Sequence, residues 1–144
     1  MASIDVVVAN ADELPAAQAF YESRGYGGAA IEASDFVVLA KRQERIVGVG
    51  RLCQEQDLLW LRGMQVEPRS QRLGVGTRIL HTLGQEIGGR RCCCLPYSHL
   101  VGFYQQADFQ QARNHLPPAL AARLASYVSR RLQVVAMVRP AVTA

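Results

Sequence analysis

The stretch from Arg69 to Thr77 combines residue types that can bind an anion. It reads RSQRLGVGT, with Arg69 and Arg72 ahead of Gly74 and Gly76. Glycine lets the backbone approach a ligand closely because it carries no side chain, and arginine can add charge-assisted hydrogen bonds to phosphate oxygens. A helix that begins here would add free backbone N–H groups and the positive end of its dipole. The residues therefore predict a phosphate-binding turn.

The elements around this turn would hold it in place. The apolar run LLWLRGMQV, residues 58–66, precedes it and predicts a strand. The apolar residues after it recur at helical spacing and predict an amphipathic helix; they are Val75, Ile79, Leu80, Leu83 and Ile87. A nucleotide P-loop is excluded because no Lys-Ser or Lys-Thr follows the glycines, and the pattern GxGxxG is missing. On these residues alone, a glycine-containing helix start without a ligand stays an open alternative.

The segment from Val66 to Thr77, VEPRSQRLGVGT, resembles the coenzyme A pyrophosphate signature of the GNAT N-acetyltransferase superfamily, (Gln/Arg)-x-x-Gly-x-(Gly/Ala). As in that family, it follows a long strand that ends in Val-x-Pro and precedes an amphipathic helix. About thirty residues on, FYQQADF at 103–109 resembles the family motif (Leu/Phe)-Tyr-x-x-x-Gly-Phe, and FYESRGY at 20–26 resembles the end of its first helix. The similarity covers the chain from about residue 3 to about residue 110.

The resemblance implies acetyl-CoA as the cosubstrate and assigns residues to it. Met64, Gln65 and Val66 would present backbone groups to the pantetheine arm, as an added strand would. The residues around the pyrophosphate would be Gln71, Arg72, Leu73, Gly74, Val75, Gly76 and Thr77. Tyr104 matches the usual general acid, which protonates the departing thiolate of coenzyme A. The alternative for Tyr104 is a tyrosine packed on the core with its hydroxyl at the rim.

The chain departs from the family pattern at several positions. Where some members carry a glutamate as the general base, this sequence has Trp60 and Cys92. Tyr97 stands in place of a frequent asparagine, so one cofactor contact is expected to be lost. Asp108 replaces a glycine, which is tolerable because aspartate can adopt a left-handed turn conformation. Spacing does not rank the remaining candidate bases, which are Glu22, Glu32, Asp35 and His99, and Glu67 lies too close to the cofactor turn.

The order of predicted elements indicates a mixed α/β fold. Strands are expected at 3–9, 36–41, 46–53, 58–66, 92–95 and 134–138, and helices at 12–24, 75–87, 100–106 and 117–131. Short polar spacers between the middle strands indicate antiparallel neighbours. With the resemblance, this implies a twisted, mostly antiparallel central sheet, splayed in the middle and flanked by helices on both faces. No repeat or linker divides the 144 residues, so residues 1–144 are expected to form a single domain.

Charge and cysteine content exclude several function classes. The net charge is +4, but the basic residues are scattered and no aromatic residues alternate with them, so no nucleic-acid partner is expected. Three of the four cysteines, Cys92 to Cys94, are consecutive and would alternate faces of a strand, so neither a metal site nor a disulfide scaffold is expected. Small apolar cysteines suit a reducing compartment.

Hydropathy predicts no membrane partner, because no apolar run approaches the roughly 20 residues that cross a bilayer. The first residues lack the pattern of a signal peptide, so a cytoplasmic protein is expected.

The expected function is direct transfer of an acetyl group from acetyl-CoA to a primary amine of a small molecule or peptide. The alternative is a catalytically weak module that binds coenzyme A, which is suggested by the two missing glutamates. The acceptor amine is not identified by any motif. The family resemblance adds a homodimer as a further expectation. The helix expected at 117–131, with Leu120, Leu124 and Val128 facing inward, is interpreted as a packing element rather than as a substrate lid.

Overall fold

The computed structural model describes residues 3–142, and within this range seven strands form one sheet in the order β1-β2-β3-β4-β5-β7-β6. The strands are β1 Ile4–Val8, β2 Phe36–Arg42, β3 Arg45–Glu55, β4 Leu58–Val66, β5 Cys92–Cys94, β6 Gln110–Gln111 and β7 Met137–Arg139. The α-helices are α1 Leu14–Ser23, α2 Val75–Ile87, α3 Val101–Gln105 and α4 Pro118–Ser129. Among these residues, no helix is both long and apolar enough to span a bilayer.

The pairing of the strands is mostly antiparallel, as the short spacers predict. β2 pairs antiparallel with β1 and with β3, and β7 pairs antiparallel with β5 and with β6. β4 and β5 instead run parallel and pair at Trp60 and Cys93. Parallel neighbours need a crossover connection, and α2 lies in the chain between these two strands.

The chain folds into two compact units. The first contains the described residues up to Cys53 together with 62–86, and the second contains 54–61 and the described residues from Ile87 onward. Each unit has its own apolar cluster, built around Tyr21 and Leu39 in the first and around Trp60 and Leu120 in the second.

In the first unit, glycines on β3 let α2 pack closely against the strand. A Cβ atom at Gly48 would lie 3.0 Å from Cδ1 of Ile79, and one at Gly50 would lie 2.4 Å from Sδ of Met64 and 3.0 Å from Cγ2 of Ile79. α2 turns its apolar residues Val75, Ile79 and Leu83 toward this surface, and all three are buried. The glycines therefore fix the depth at which the start of α2 sits on the sheet.

α1 in the first unit is tied to a kink in β4. Gly63 has φ +69°, a left-handed conformation that interrupts the extended strand. The hydroxyl of Tyr21, which is buried on α1, donates a 2.7 Å hydrogen bond to the carbonyl of Gly63. A Cβ at position 63 would lie 2.2 Å from that hydroxyl oxygen. The kink and the tyrosine therefore form one structural feature.

Gly63→Ala is expected to lower the free energy of unfolding by about 2–4 kcal/mol, because left-handed strain on a non-glycine residue adds to overpacking against Tyr21. Urea unfolding followed by circular dichroism measures this loss. Gly25→Ala is the matched control, since Gly25 has φ +70° and a Cβ there would meet no atom within 4 Å. Equal losses in both variants would contradict the importance of the Tyr21 contact.

In the second unit, α4 packs over an apolar cluster that contains Trp60, Cys93 and Leu120. Trp60 donates its indole N–H to the carbonyl of Glu55 at 3.0 Å, and the guanidinium of Arg123 on α4 lies 4.4 Å from the Trp60 ring centroid. Arg123 also forms an ion pair with Glu55. The contacts of Arg123 tie α4 to the 54–61 segment.

The prediction of a packing helix at 117–131 is confirmed for Leu120, which is fully buried, and for Leu124, which packs against the cluster at partial burial. It is wrong for Val128, which is 54% exposed. The sequence spacing would bring all three residues to one face, but Val128 lies in the last turn of α4.

The elements predicted from sequence agree with the structure, with two differences at the C-terminal end. The pair Gln110–Gln111 forms β6, although two polar residues carry no strand pattern. The last strand covers Met137–Arg139 rather than 134–138, and Val134 forms an isolated bridge with Tyr97. Both differences concern short segments whose extended form depends on pairing with neighbours.

Candidate active site

The candidate phosphate-binding turn lies between β4 and α2 in the first unit. A short 3₁₀ turn covers Pro68–Ser70, and α2 begins at Val75. Arg72 and Gly74 both adopt left-handed conformations, with φ of 67° and 78°. The N–H of Arg78 makes a 3.1 Å bond to the carbonyl of Gly74, which closes the first turn of the helix. The N–H groups ahead of Arg78 therefore belong to the first turn, where helix geometry provides no intrahelical partner.

The outer surface of this turn is open. Gln71, Arg72, Gly74 and Thr77 are exposed, and Leu73 is 59% exposed. A Cβ atom built at Gly74 would meet no described atom within 4 Å. An anion can therefore approach the backbone at Gly74 without displacing a protein side chain.

Glu67 anchors the start of the turn. Its carboxylate accepts two hydrogen bonds from the Arg45 guanidinium, at 2.6 Å and 3.1 Å, and one of 2.9 Å from the hydroxyl of buried Ser70. The hydrogen bonding from Arg45 is the main cause that holds the pKa of Glu67 below its usual range. Burial opposes it, and the bond from Ser70 adds a smaller lowering effect. Glu67 is thus a structural carboxylate and a poor proton acceptor.

Gln71 connects the turn to the end of β4. Its side-chain amide donates a 2.8 Å hydrogen bond to the carbonyl of Val66. The predicted pantetheine residues Met64, Gln65 and Val66 form the last three positions of β4, and all are partly exposed. The structure therefore joins these residues to the turn through Gln71, and the carbonyl of Val66 already has a partner.

Tyr104 lies on α3 in the second unit. It is 6% exposed, and its ring makes edge-to-face contacts with Phe103 at 5.0 Å and with Phe109 at 6.1 Å between centroids. Burial raises the pKa of Tyr104 well above its usual range. Asp108 adopts φ 67°, as expected for the residue that replaces a glycine, and lets the chain turn back so that the Phe109 N–H reaches the Tyr104 carbonyl at 3.4 Å.

The predicted site residues therefore fall into two groups. The residues from Met64 to Val66 and from Gln71 to Thr77 come together in the first unit, at the end of β4 and the start of α2. Tyr104 belongs to the second unit.

The candidate bases that spacing does not rank differ in exposure and in their contacts. Glu22 and Glu32 are exposed, whereas Asp35 has a side chain only 7% exposed. Its Oδ2 accepts the N–H of Glu32 at 2.9 Å and lies 3.7 Å from Nη1 of Arg51. His99 is exposed and stacks on Tyr97 in the second unit.

Sequence reasoning missed Arg51, which is fully buried on β3. The signal was present, because Arg51 is the one charged residue in the apolar run IVGVGRLC. A charge at such a position requires partners inside the protein.

The cysteines of the described chain are all free and buried. Burial raises the pKa of Cys53 to about 11 and that of Cys92 to about 12. Both thiols are therefore protonated near neutral pH and are weak nucleophiles. Over residues 3–142, no three His, Cys, Asp or Glu side chains are grouped in a way that could hold a metal ion.

Comparison with known families decides the identity of this arrangement. The family model of the acetyltransferase (GNAT) domain matches residues 33–111, a range that includes β4, the turn, α2 and α3. The chain belongs to the GNAT acetyltransferase family. Members transfer the acetyl group of acetyl-CoA, so the expected enzyme class, N-acetyltransferase, and the expected cosubstrate, acetyl-CoA, are confirmed at the level of the family.

Solved structures confirm the GNAT fold over nearly the whole chain. The ribosomal-protein-S18-alanine N-acetyltransferase of Escherichia coli is 16% identical with a TM-score of 0.70, covering 99% of this chain and 96% of its own. The N-acetylglutamate synthase of Neisseria gonorrhoeae, in complex with coenzyme A and N-acetyl-glutamate, is 20% identical with a TM-score of 0.69, covering 99% of this chain and 36% of its own.

A Mycobacterium tuberculosis protein in complex with CoA is 17% identical with a TM-score of 0.68, covering 96% of this chain and 99% of its own. No curated protein matches the sequence. The mixed α/β fold with an open, mostly antiparallel sheet flanked by helices is thus confirmed.

Proposed function

We propose that this GNAT protein transfers the acetyl group of acetyl-CoA directly to a primary amine of a small molecule or peptide. The observation that carries the proposal is the open turn at the start of α2, where left-handed Arg72 and Gly74 precede the free N–H groups of the helix. We assign the pyrophosphate of acetyl-CoA to Gln71, Arg72, Leu73, Gly74, Val75, Gly76 and Thr77. Helix N-termini favour such negative charge.

The pantetheine arm is assigned to the backbone of Met64, Gln65 and Val66. These residues follow the Gly63 kink, which interrupts the strand just before them. An arm that pairs with partly exposed strand residues would gain main-chain hydrogen bonds as an added strand does. Because Gln71 already bonds the Val66 carbonyl, the arm is expected to use other backbone groups of these three residues.

In the proposed reaction, the neutral amine nitrogen attacks the thioester carbonyl carbon, a C–N bond forms and the C–S bond breaks. The amine loses its proton to water or to a carboxylate, and the departing thiolate takes a proton from the Tyr104 hydroxyl. The role is assigned from the match of Tyr104 to the family motif. Burial raises its pKa, so the phenol stays protonated into the alkaline range.

The acceptor class is proposed from the neighbours of similar fold. The Escherichia coli enzyme is named for an alanine of a ribosomal protein, and the Neisseria gonorrhoeae synthase is bound to N-acetyl-glutamate. Both names point to amines of amino acids or peptides, and we place this chain's acceptor in the same broad class.

Isothermal titration with acetyl-CoA tests the first half of the proposal, and a screen for coenzyme A thiol release tests the second. The screen should contain amino acids, peptides with free N-termini, polyamines and aminoglycosides. We expect binding in the micromolar range and release with at least one amine. Absence of binding at high micromolar acetyl-CoA would refute the proposal.

The second candidate function is a coenzyme A-binding module with weak catalysis. Two positions favour it, because Trp60 and Cys92 stand in place of a base glutamate. The indole N–H of Trp60 bonds the Glu55 carbonyl, and burial raises the pKa of the Cys92 thiol to about 12. This candidate requires acetyl-CoA binding without thiol release for any amine in the screen. A single amine that turns over would exclude it.

Three expectations from sequence stay predictions. We propose that residues 1–144 act as one N-acetyltransferase domain, since the matched range 33–111 draws residues from both compact units. A cytoplasmic location agrees with free, buried cysteines, and a homodimer is the further expectation.

A further inference from the structure

Arg51 on β3 is a buried cation whose hydrogen-bonding and ionic partners come from one segment. Its exposed fraction is 0%, and its Nη2 donates a 2.6 Å hydrogen bond to the carbonyl of Ala29. Its Nη1 lies 3.7 Å from Oδ2 of Asp35. Ala29 and Asp35 both belong to residues 25–35, called the 25–35 connection, which links α1 to β2. Arg51 therefore attaches this connection to the sheet.

Two tyrosine rings complete the surroundings of Arg51. Its guanidinium carbon lies 5.2 Å from the ring centroid of Tyr21 and 5.8 Å from that of Tyr26, and the two rings stack at 4.5 Å. Tyr26 is the second residue of the 25–35 connection. The hydroxyl of Tyr21 bonds the carbonyl of Gly63, which directly precedes Met64. Contacts thus run without a gap from the connection through Arg51 and Tyr21 to the strand assigned to pantetheine.

Stability alone is a poor explanation for this arginine. Nε and Nη1 of Arg51 make no hydrogen bond to any residue in 3–142. An apolar side chain of similar size would avoid the desolvation cost, and such replacements of buried charges are often neutral or stabilising. An apolar residue would not supply the directional hydrogen bond to Ala29 or the ionic contact with Asp35.

We propose that Arg51 is a positioning residue that fixes the 25–35 connection and thereby sets the affinity for the acceptor amine. The proposal rests on the proposed function, because it places the acceptor beside the pantetheine strand. The connection contains three of the chain's glycines, Gly25, Gly27 and Gly28, and Ala29 follows them directly. Further along, the N–H of Ile31 donates a 2.9 Å hydrogen bond to the side chain of Gln18 on α1. Without Arg51 the glycine-rich part next to Ala29 would lose its bond to the sheet and sample more conformations, and each acceptor encounter would have to select the competent one.

Hydrogen exchange read by mass spectrometry tests the fixing step without any ligand. Arg51→Met keeps side-chain length and removes the charge, and Arg51→Lys keeps the charge and removes the planar fork. The matched control is Arg123→Met, which also loses an ion pair and a contact with an aromatic ring, but on α4. In Arg51→Met we expect exchange of the 25–35 amides to rise about 10- to 100-fold, the range for loss of one charge-assisted hydrogen bond.

Exchange in α2 should stay unchanged in Arg51→Met, and the control should leave the 25–35 amides at the wild-type rate. Unchanged exchange at 25–35, or an equal rise throughout the first unit, would overturn the proposal. If Arg51→Met does not fold, Asp35→Asn replaces it, since it removes the charged partner from the connection and leaves β3 intact.

Steady-state kinetics with the first amine that turns over in the screen test the second step. For Arg51→Met we expect the acceptor KM to rise about tenfold or more, with kcat within about threefold and partial rescue in Arg51→Lys. Calorimetry should give an acetyl-CoA Kd equal to that of the wild type. An unchanged acceptor KM would overturn the proposal. Failure of the wild type to bind acetyl-CoA would refute the proposed function instead and leave the exchange result standing.

Discussion

Tyr104→Phe is expected to lower kcat by about 10²–10⁴-fold, the range typical of a positioned acid, while the Kd for acetyl-CoA stays within about twofold. The substitution removes one hydroxyl and keeps the ring. Because the edge-to-face contacts with Phe103 and Phe109 involve the ring, the fold of α3 should be preserved. The decrease in kcat then measures the contribution of proton donation from Tyr104 to the thiolate.

The pH profile gives a second signature of the same group. A buried phenol whose pKa is raised remains protonated as the pH increases, so the acid form is retained through the alkaline range. In the wild type, kcat should therefore show no alkaline decline from this residue below about pH 10, the ordinary pKa of tyrosine. An alkaline limb near pH 8 that disappears in Tyr104→Phe would contradict the assignment of a raised pKa.

Tyr127→Phe is the matched control for Tyr104→Phe. Tyr127 lies in the same unit on α4, and its ring contacts the guanidinium of Arg130 at 4.9 Å. Removing its hydroxyl should leave kcat unchanged. If the two variants lose activity equally, or if Tyr104→Phe retains the wild-type rate, Tyr104 is only a packing residue.

Much of the first unit could be predicted from the sequence because its elements carry strong local patterns. β4 was predicted with the bounds that the structure has, and α2 follows the apolar spacing from Val75 to Ile87. The turn between them is determined by glycine positions and by the helix start, which are local features as well. Asp108 stands where the family motif has a glycine, and its left-handed conformation agrees with what the resemblance implies for that position.

The parts that sequence did not reveal depend on contacts between distant residues. Gln110–Gln111 becomes β6 because it pairs with β7, whose residues lie more than 25 positions away in the chain. In the sequence, Arg51 is a charged residue in an apolar strand with no visible partner. The structure supplies its partners, which are Ala29, Asp35 and two tyrosines. The kink at Gly63 likewise needs Tyr21 to explain why glycine stands there.

Glu67 illustrates how a candidate site residue is interpreted through its partners. Its spacing placed it too near the turn for a base, but its role was invisible in the sequence. The hydrogen bonds from Arg45 and Ser70 show that the carboxylate holds the turn on the sheet. Arg45 lies 22 positions from Glu67 in the chain, so no local pattern connects the two.

Gly74→Val is expected to weaken acetyl-CoA binding by about 100-fold or more. Gly74 has φ +78°, and a β-branched residue resists this conformation at a cost of about 1–2 kcal/mol or more. If the turn relaxes to avoid that strain, the N–H groups at the start of α2 lose their alignment with the pyrophosphate. Loss of one or two charge-assisted hydrogen bonds costs about 1.5–3 kcal/mol each.

Gly25→Val separates this effect from general destabilisation. Gly25 and Gly74 share a left-handed φ, and a Cβ at either position meets no atom within 4 Å, so the two valine variants carry similar backbone strain. Urea unfolding should give similar losses of stability, whereas calorimetry should show weakened acetyl-CoA binding in Gly74→Val alone. The difference arises because the open space at Gly74 is where the phosphate must approach the backbone. Equal affinities in the two variants would mean that the pyrophosphate binds elsewhere, and the assignment of Gln71 to Thr77 would be withdrawn.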